Sequence, residues 1–388
     1  MKLVFFTNYL NHHQVLVADE LYSLLGDEFR FVATLPVSEN DLKGGADFST
    51  RPYCILAGDT ESACNVAFSL ARESDTCVFG ACSQEFAVER AKHNPKGLSF
   101  EMGERWLKHG LLTIGSPVFR KWLLNYIRYY RKANFYKLCC SAFTASDDVK
   151  LGAYIGRHYK WGYFTRVREN FVETCSQDVS TKGKVHILWC ARFLLLKHPE
   201  LVVQLAARLK SDGYDFVIDM YGDEGSLAPH DKPYPRVKLE RLIAKLAVGD
   251  CVNLRGSRSN NEILKAMREG DIFLFTSDRL EGWGAVANES MANGCVLVAS
   301  DAIGSTDYLV DHKVTGLKFS SCNLDSLYEQ VKFLLDNPDS MENISRNGRR
   351  LMTELWNPEN AAKCLLQLIK DLKAGRDTGI ANGPCSRA

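Results

Sequence analysis

Two doubly wound, Rossmann-like α/β domains are what this sequence predicts, and three observations predict them. At 388 residues the chain exceeds the size at which one core keeps growing, so two domains are expected. Short apolar runs alternate with stretches of helical period, the pattern of strand–helix–strand units around a parallel sheet. That alternation stops in a polar stretch at 169–184 (ENFVETCSQDVSTKGK) and then begins again.

In the first half, strands are expected at 3–6, 29–33, 54–57 and 76–79, with a helix at 15–25. In the second, strands are expected at 185–190, 216–221, 251–254, 272–275 and 295–299, with helices near 199–210, 237–248 and 262–268. The last helix, 358–372, follows a Trp-Asn-Pro signal and aligns Ala361, Leu365, Leu368 and Leu372 on one face. Such a terminal helix can cross back to brace the first domain. The predicted division is therefore 1–170, 171–357, a crossing helix at 358–373, and a Gly-rich tail at 374–388 that is expected to be disordered.

The net charge of +1 hides an asymmetry. Residues 90–170 hold 16 Lys or Arg against 5 Asp or Glu, a local +11 that leaves −10 for the rest. A basic first half suits an anionic partner such as a phosphate or a membrane surface. Nucleic acid is set aside because no recognised motif accompanies the charge. Thirteen cysteines without a CxxC pair support neither a disulfide framework nor a thiolate metal site, and a reducing cytoplasm is the expected compartment. The first apolar run is too short for a signal peptide and no run approaches the roughly 18 residues of a membrane span. The sequons at Asn288 and Asn343 are read as chance.

Chemistry concentrates in EGWGAVANE, residues 281–289. A strand at 271–276, a short loop and a helix opening near Gly284 place Glu281 on the loop and Glu289 inside the helix. Free helix N–H groups then lie between them, where a phosphate can sit. One acid can hold sugar hydroxyls and the other ribose hydroxyls, the layout of a nucleotide-sugar site. Two bare carboxylates would repel a diphosphate, so cations are required. Arg192 and Lys197, both leaving the end of strand 185–190, are the candidates: a guanidinium fork and an ammonium point charge. Gly222, in the turn after 216–221, reads as a tight turn or a close backbone approach. Gly256 sits where a base can lie against main chain.

In the first half, Asn11, His12, His13 and Gln14 follow strand one. The paired histidines lack the partner that would make a metal site, so either histidine reaches the transferred sugar or its phosphate, or Asn11 caps the helix beside solvated imidazoles. Glu104 and Arg105 are read as acceptor contacts or as surface charge. Residues 119–137 interleave aromatic side chains with six Lys or Arg. On one helix, Trp122, Tyr126, Tyr129, Tyr130 and Ala133 form a stripe that is either core or the face of an interfacial helix.

Together ARFLLLK, the YGDEG turn and residues 271–319 resemble a family 4 glycosyltransferase of GT-B architecture, strongly over 185–372 and more loosely in the first domain, which is similar to bacterial enzymes of surface-polysaccharide assembly. The resemblance implies two domains facing a cleft, retaining transfer from a nucleotide sugar, and no obligatory metal or other cofactor. It assigns Arg192 and Lys197 to the diphosphate, Glu281 to the donor sugar and Glu289 to ribose. Gly282, Trp283 and Gly284, with Ala285 and Val286 beyond them, match the turn facing sugar and phosphates. UDP is favoured as the nucleotide by family habit. The usual Gly-Gly turn after strand one is replaced by NHHQ, and neither His93 nor His109 aligns with the family's mid-domain histidine.

Two rival readings fit the sequence less well. Residues 282–287 fit GxGxxA, but a dinucleotide fingerprint opens its domain right after the first strand, whereas four strands precede this one. A noncatalytic sugar-nucleotide module would have no need of intact Glu281, Glu289, Arg192 and Lys197. The expected partners are a nucleotide-sugar donor and a glycan or lipid-linked acceptor. Weak, salt-sensitive association with the anionic inner face of the plasma membrane is expected through Arg120, Lys121, Arg128, Arg131 and Lys132.

Overall fold

A computed structural model describes residues 1–36, 48–165, 183–225 and 231–388. The chain divides into two compact units, Met1–Arg166 together with Leu355–Ala388, and Val167–Glu354. The polar stretch expected to separate the domains lies almost wholly outside the described residues.

The first unit is built on a seven-stranded parallel sheet of order β3-β2-β1-β4-β5-β6-β7. Its strands are β1 (Leu3–Thr7), β2 (Phe29–Ala33), β3 (Cys54–Leu56), β4 (Thr76–Phe79), β5 (Leu98–Gly103), β6 (Phe135–Cys139) and β7 (His158–Lys160). The central strands are buried on both faces and correspondingly apolar: β1 reads LVFFT with every residue buried. Phe6, Phe79 and Phe135 stack in sequence across one face of the sheet, with centroid separations of 5.0 and 6.0 Å.

The second unit carries a six-stranded parallel sheet of order β10-β9-β8-β11-β12-β13. Its strands are β8 (Val185–Cys190), β9 (Phe216–Tyr221), β10 (Val252–Gly256), β11 (Ile272–Phe275), β12 (Val296–Ser300) and β13 (Leu317–Phe319). After β10 the chain returns to the centre and lays β11 on the other side of β8, with Ile272 opposite Ile187. That reversal makes the carboxyl ends of β8 and β11 the switch point of the sheet, where flanking loops diverge and leave a crevice.

Two expectations need correction. The 119–137 segment is not one helix: Pro117–Arg128 is helical, Tyr130–Lys132 is a single 3₁₀ turn, and β6 follows. Its aromatic stripe is core, since Trp122, Tyr126, Tyr130 and Ala133 are all buried. Strand β6 was missed because its Lys137 interrupts the apolar run; that lysine is buried against Glu101, 2.7 Å away.

The terminal helix Pro358–Lys373 does belong to the first unit, where it packs against Val15–Leu25. The tail beyond it, expected to be disordered, is packed. Lys160 N donates to Ser386 O at 2.8 Å, Cys385 N donates to Lys160 O at 2.7 Å, and Cys385 is fully buried. Backbone pairing to the open edge of β7 supplies the order that a lack of large apolar side chains seemed to deny.

Among the described residues, no helix is long and apolar enough to cross a membrane.

Candidate functional site

In the second unit the loops that leave β8 and β11 carry Arg192, Lys197 and Glu281. Beyond β8 the chain runs through Arg192 and a 3₁₀ turn, Leu195–Lys197, before entering the helix Pro199–Ser211. Phe193 and Leu194 are buried and anchor this excursion. The carbonyl of Lys197 accepts from Thr276 Oγ1 at 2.6 Å, and Thr276 Oγ1 accepts from Trp189 Nε1 at 2.9 Å. Asp278 N donates to Leu196 O at 2.9 Å, so the loops after β8 and β11 are tied main chain to main chain.

That tie brings Lys197 Nζ into an ion pair with Glu281, with both side chains largely buried. The buried helix Val286–Ala292 starts two residues later than expected, after the turn Gly282–Ala285. Glycine is required at 284: its φ is +75°, and an added Cβ would lie 2.2 Å from Phe275 Cζ. Lys197 Nζ lies 6.0 Å from the centroid of the same ring, so the helix opening and the ammonium share one aromatic neighbour. Trp283 serves the turn differently from its neighbours. Its indole is fully buried and donates to Asn288 Oδ1 at 2.7 Å, leaving only backbone for a ligand and placing the Asn288 sequon inside the core.

Glu289 projects from the helix, and burial alone pushes its carboxyl up to about 7. Burial and then the charge of Glu289 push the thiol of Cys190, at the end of β8, up, and the charge of Lys197 opposes them. Arg192 is held from the side of β9 and β10. Its Nη1 lies 2.7 Å from Asp231 Oδ2, its side chain is half exposed, and its stem packs toward Gly225. Gly222 is explained by the close approach of backbone: its φ is +129°, and an added Cβ would sit 1.9 Å from Ala191 O. Gly222 N donates to Gly256 O at 2.9 Å, joining the loops after β9 and β10. The space at Gly222 is thus filled by protein, as its turn reading requires.

His198 escaped the sequence analysis. It adopts a left-handed conformation, φ 49° and ψ 53°, between Lys197 and Pro199. Its Nδ1 lies 2.9 Å from Glu200 Oε1 and its Nε2 lies 3.2 Å from Asp278 Oδ2. The hydrogen bonds to Asp278 and then Glu200 push the imidazole up to about 10, so at neutral pH it is a cation bracing the lysine loop to the Glu281 loop. Only the adjacency of a histidine to Lys197 could have signalled it.

In the first unit, the remaining predicted residues form a chain of contacts. Asn11 Oδ1 accepts from His13 N at 3.0 Å, and the His12 and His13 rings are 3.7 Å apart. His13 stacks on Tyr163 at 5.0 Å and 7°. Tyr163 OH donates to Glu104 Oε1 at 3.3 Å, and Lys108 Nζ donates to Glu104 Oε2 at 2.6 Å. Arg105 is occupied structurally: its guanidinium makes a two-pronged pair with buried Asp147 at 2.9 and 3.1 Å. Glu104, Arg105 and Lys108 line a cavity of about 380 Å³ at the carboxyl ends of β4 and β5. Glu101 lines it too; its carboxylate accepts from Lys137, Tyr154 and Trp122, and those partners hold it below the usual carboxylate range despite burial. Sequence reasoning overlooked this network because Glu101 and Lys137 stand alone in their strands.

Residues 174–351 match the family model described as glycosyl transferases group 1. The chain is similar to MMP alpha-(1->4)-mannosyltransferase of Mycolicibacterium hassiacum, 24% identical over 51% of this chain and 42% of that protein. It is similar as well to the amylovoran biosynthesis glycosyltransferase AmsK of Erwinia amylovora, 30% identical over 34% of this chain and 31% of that protein. The chain thus matches less than half the length of either relative. Among solved structures it resembles Anabaena HepE in complex with UDP, with TM-score 0.67 and 14% identity over 96% of this chain and all of the other. It likewise resembles sucrose-phosphate synthase from Thermosynechococcus elongatus, with TM-score 0.66 and 16% identity over 96% and 99% of the two chains.

Proposed function

We propose, from the match of residues 174–351 to glycosyl transferases group 1 and from the GT-B fold, that the protein is a retaining glycosyltransferase. It moves a sugar from a nucleoside diphosphate sugar to a hydroxyl of a glycan or lipid-linked acceptor in polysaccharide or glycoconjugate assembly. The observation that carries this reading is the Lys197–Glu281 ion pair at the switch point, with Glu289 in the helix that follows the Glu281 loop. A cation already seated on one acid offsets the repulsion that two carboxylates exert on a diphosphate, and it does so before the ligand arrives.

In the reaction, the bond from the sugar's anomeric carbon to the phosphate oxygen breaks, and the diphosphate leaves with the electron pair. Lys197, Arg192 and the main chain of the Gly282–Ala285 turn stabilise the charge that builds on it. The acceptor oxygen bonds the anomeric carbon on the face the diphosphate vacates. Its proton passes to the departing phosphate oxygen, the strongest base on that face. Glu281 holds donor-sugar hydroxyls, and Glu289 holds the ribose. Asn11, His12, His13 and Glu104 are the acceptor-side residues, with Arg105 holding their loop. UDP as the nucleotide is supported by the UDP complex of HepE, and no metal is required because two side-chain cations fill that part. Cytoplasmic residence with peripheral attachment to the inner face of the plasma membrane completes the reading.

The test is the double substitution Arg192→Ala/Lys197→Ala, assayed by transfer from a panel of UDP- and GDP-sugars. Loss of preorganised charge stabilisation should lower turnover by about 10²-fold or more, while circular dichroism stays that of the parent. Undiminished transfer by the folded double variant would overturn the scheme.

A further inference from the structure

We propose that residues 111–128 form an interfacial wedge that seats the protein on an anionic lipid bilayer. The inference rests on the peripheral-attachment part of the reading above and not on the transfer chemistry. Six of the fifteen exposed large hydrophobic side chains among the described residues fall between 111 and 127. Leu111 is 75% exposed, Leu112 85% and Val118 65%, and Ile114, Leu124 and Ile127 are each more than two-fifths exposed. Exposed apolar residues scattered singly mean little; six in one short segment are a patch that water does not favour.

The local structure pushes this patch outward. The 3₁₀ segment Leu107–Gly115 is broken at Gly110, whose φ of 62° and ψ of −146° turn the chain, and Leu111 and Leu112 follow at the tip. Arg120 Nε donates to Ile114 O at 2.9 Å and fastens the segment to the next helix. That helix, Pro117–Arg128, is capped by Ser116 and buries Phe119, Trp122 and Tyr126. Its opposite face presents Val118, Lys121, Leu124, Ile127 and Arg128 to solvent, so hydrophobic and cationic groups are mixed on the exposed side. Arg131 and Lys132 continue the exposed cations.

Charge selects the occupant. From Arg105 to Ser146 the chain has no Asp or Glu, whereas Arg105, Lys108, Arg120, Lys121, Arg128, Arg131, Lys132 and Lys137 fall within it. Of these, Arg105, Lys108 and Lys137 are paired with Asp147, Glu104 and Glu101, which leaves Arg120, Lys121, Arg128, Arg131 and Lys132 as the outward cations of a segment that holds no acid. A soluble protein partner would meet an apolar patch best with an apolar patch of its own. A bilayer of anionic lipid supplies both an apolar interior for the leucines and a negative surface for the cations. Val118 and Lys108 also line the 380 Å³ cavity, so the wedge borders that cavity's rim.

The test is flotation of the full chain with vesicles of phosphatidylcholine, with and without phosphatidylglycerol. The parent should float with the anionic vesicles at low salt and keep a reduced fraction bound in about 1 M salt, where the screening length falls to about 3 Å and only the apolar contact persists. Lys121→Gln/Arg128→Gln/Arg131→Gln should lower low-salt binding about a hundredfold, the effect of removing three cations near an anionic surface. Leu111→Ser/Leu112→Ser should abolish the salt-resistant fraction. Failure of the parent to float, equal binding to pure phosphatidylcholine, or an unchanged salt-resistant fraction in the leucine variant would each overturn the proposal. So would a solution dimer dissolved by the leucine variant, which would assign the patch to a second copy. A thermal shift with UDP on every variant separates these outcomes from failure of the donor-site reading, because the wedge lies outside that site.

Discussion

Glu289 is a carboxyl whose neutral form the protein favours, because burial removes the water that would solvate its charge. Its folded pKa of about 7 exceeds the ordinary 4.5, so the folded state holds the proton longer. The associated stability is therefore present in full below pH 4.5 and is lost as pH rises through 7. Glu289→Gln should match the parent in thermal melting at pH 4 and exceed it at pH 8. A ribose hydroxyl donates best to the ionised form, so binding of a UDP-sugar should tighten as pH rises through about 7, and this dependence should vanish in the Gln variant by titration calorimetry. His198 runs on the other side of neutrality. Its pKa, raised from 6.5 to about 10, makes its contribution complete below 6.5 and lost as pH rises through 10. His198→Gln should cost about 2 kcal/mol near pH 7, the value of charge-assisted hydrogen bonds, and should flatten the parent's loss of stability between pH 7 and 10 in denaturant titrations.

At the scale of elements, the turn between β11 and the Val286–Ala292 helix joins a covalent demand to a packing one. Gly284 has a positive φ, and the Phe275 ring occupies the position of the absent side chain. Gly284→Ala should destabilise the chain by roughly 2 kcal/mol or more, from left-handed strain and overpacking together. It should also weaken UDP binding in a thermal-shift titration, since Lys197 lies over the same ring. Unaltered UDP binding in that variant would separate the turn from the donor site. Strands β4 and β11, whose runs hold no charged residue, were legible with their boundaries because buried parallel strands need no alternation. Strands β2, β8 and β9 were legible although each holds one polar residue, Arg30, His186 or Asp219, among apolar neighbours. Strands β5 and β6, which hold the two halves of a buried ion pair, Glu101 and Lys137, were not. A charge in a strand reads as exposure until its partner on the neighbouring strand is known.

At the scale of the whole molecule, the last residues complete the first unit rather than trail from it. Arg387 Nε lies 2.8 Å from Asp377 Oδ2, Tyr159 OH donates to Asp377 Oδ1 at 3.0 Å, and Cys385 is sealed in the interior. Truncation after Pro384 should lower the calorimetric transition of the first unit by about 4 °C or more, at roughly 2–4 °C per kcal/mol for a unit of this size. An unchanged transition would make the tail a passenger. Local order along the chain was enough to determine two parallel sheets, and the spacing of Arg192, Lys197 and Glu281 on strand-end loops with Glu289 in the helix that follows, because periodicity and loop position are properties of neighbouring residues. Which cation would sit on which acid, that His198 would brace the lysine loop, and that a polar Gly-rich tail would pair with β7 were decided only by tertiary structure. Those outcomes depend on contacts between residues separated by tens or hundreds of positions, whose partners a linear pattern does not name.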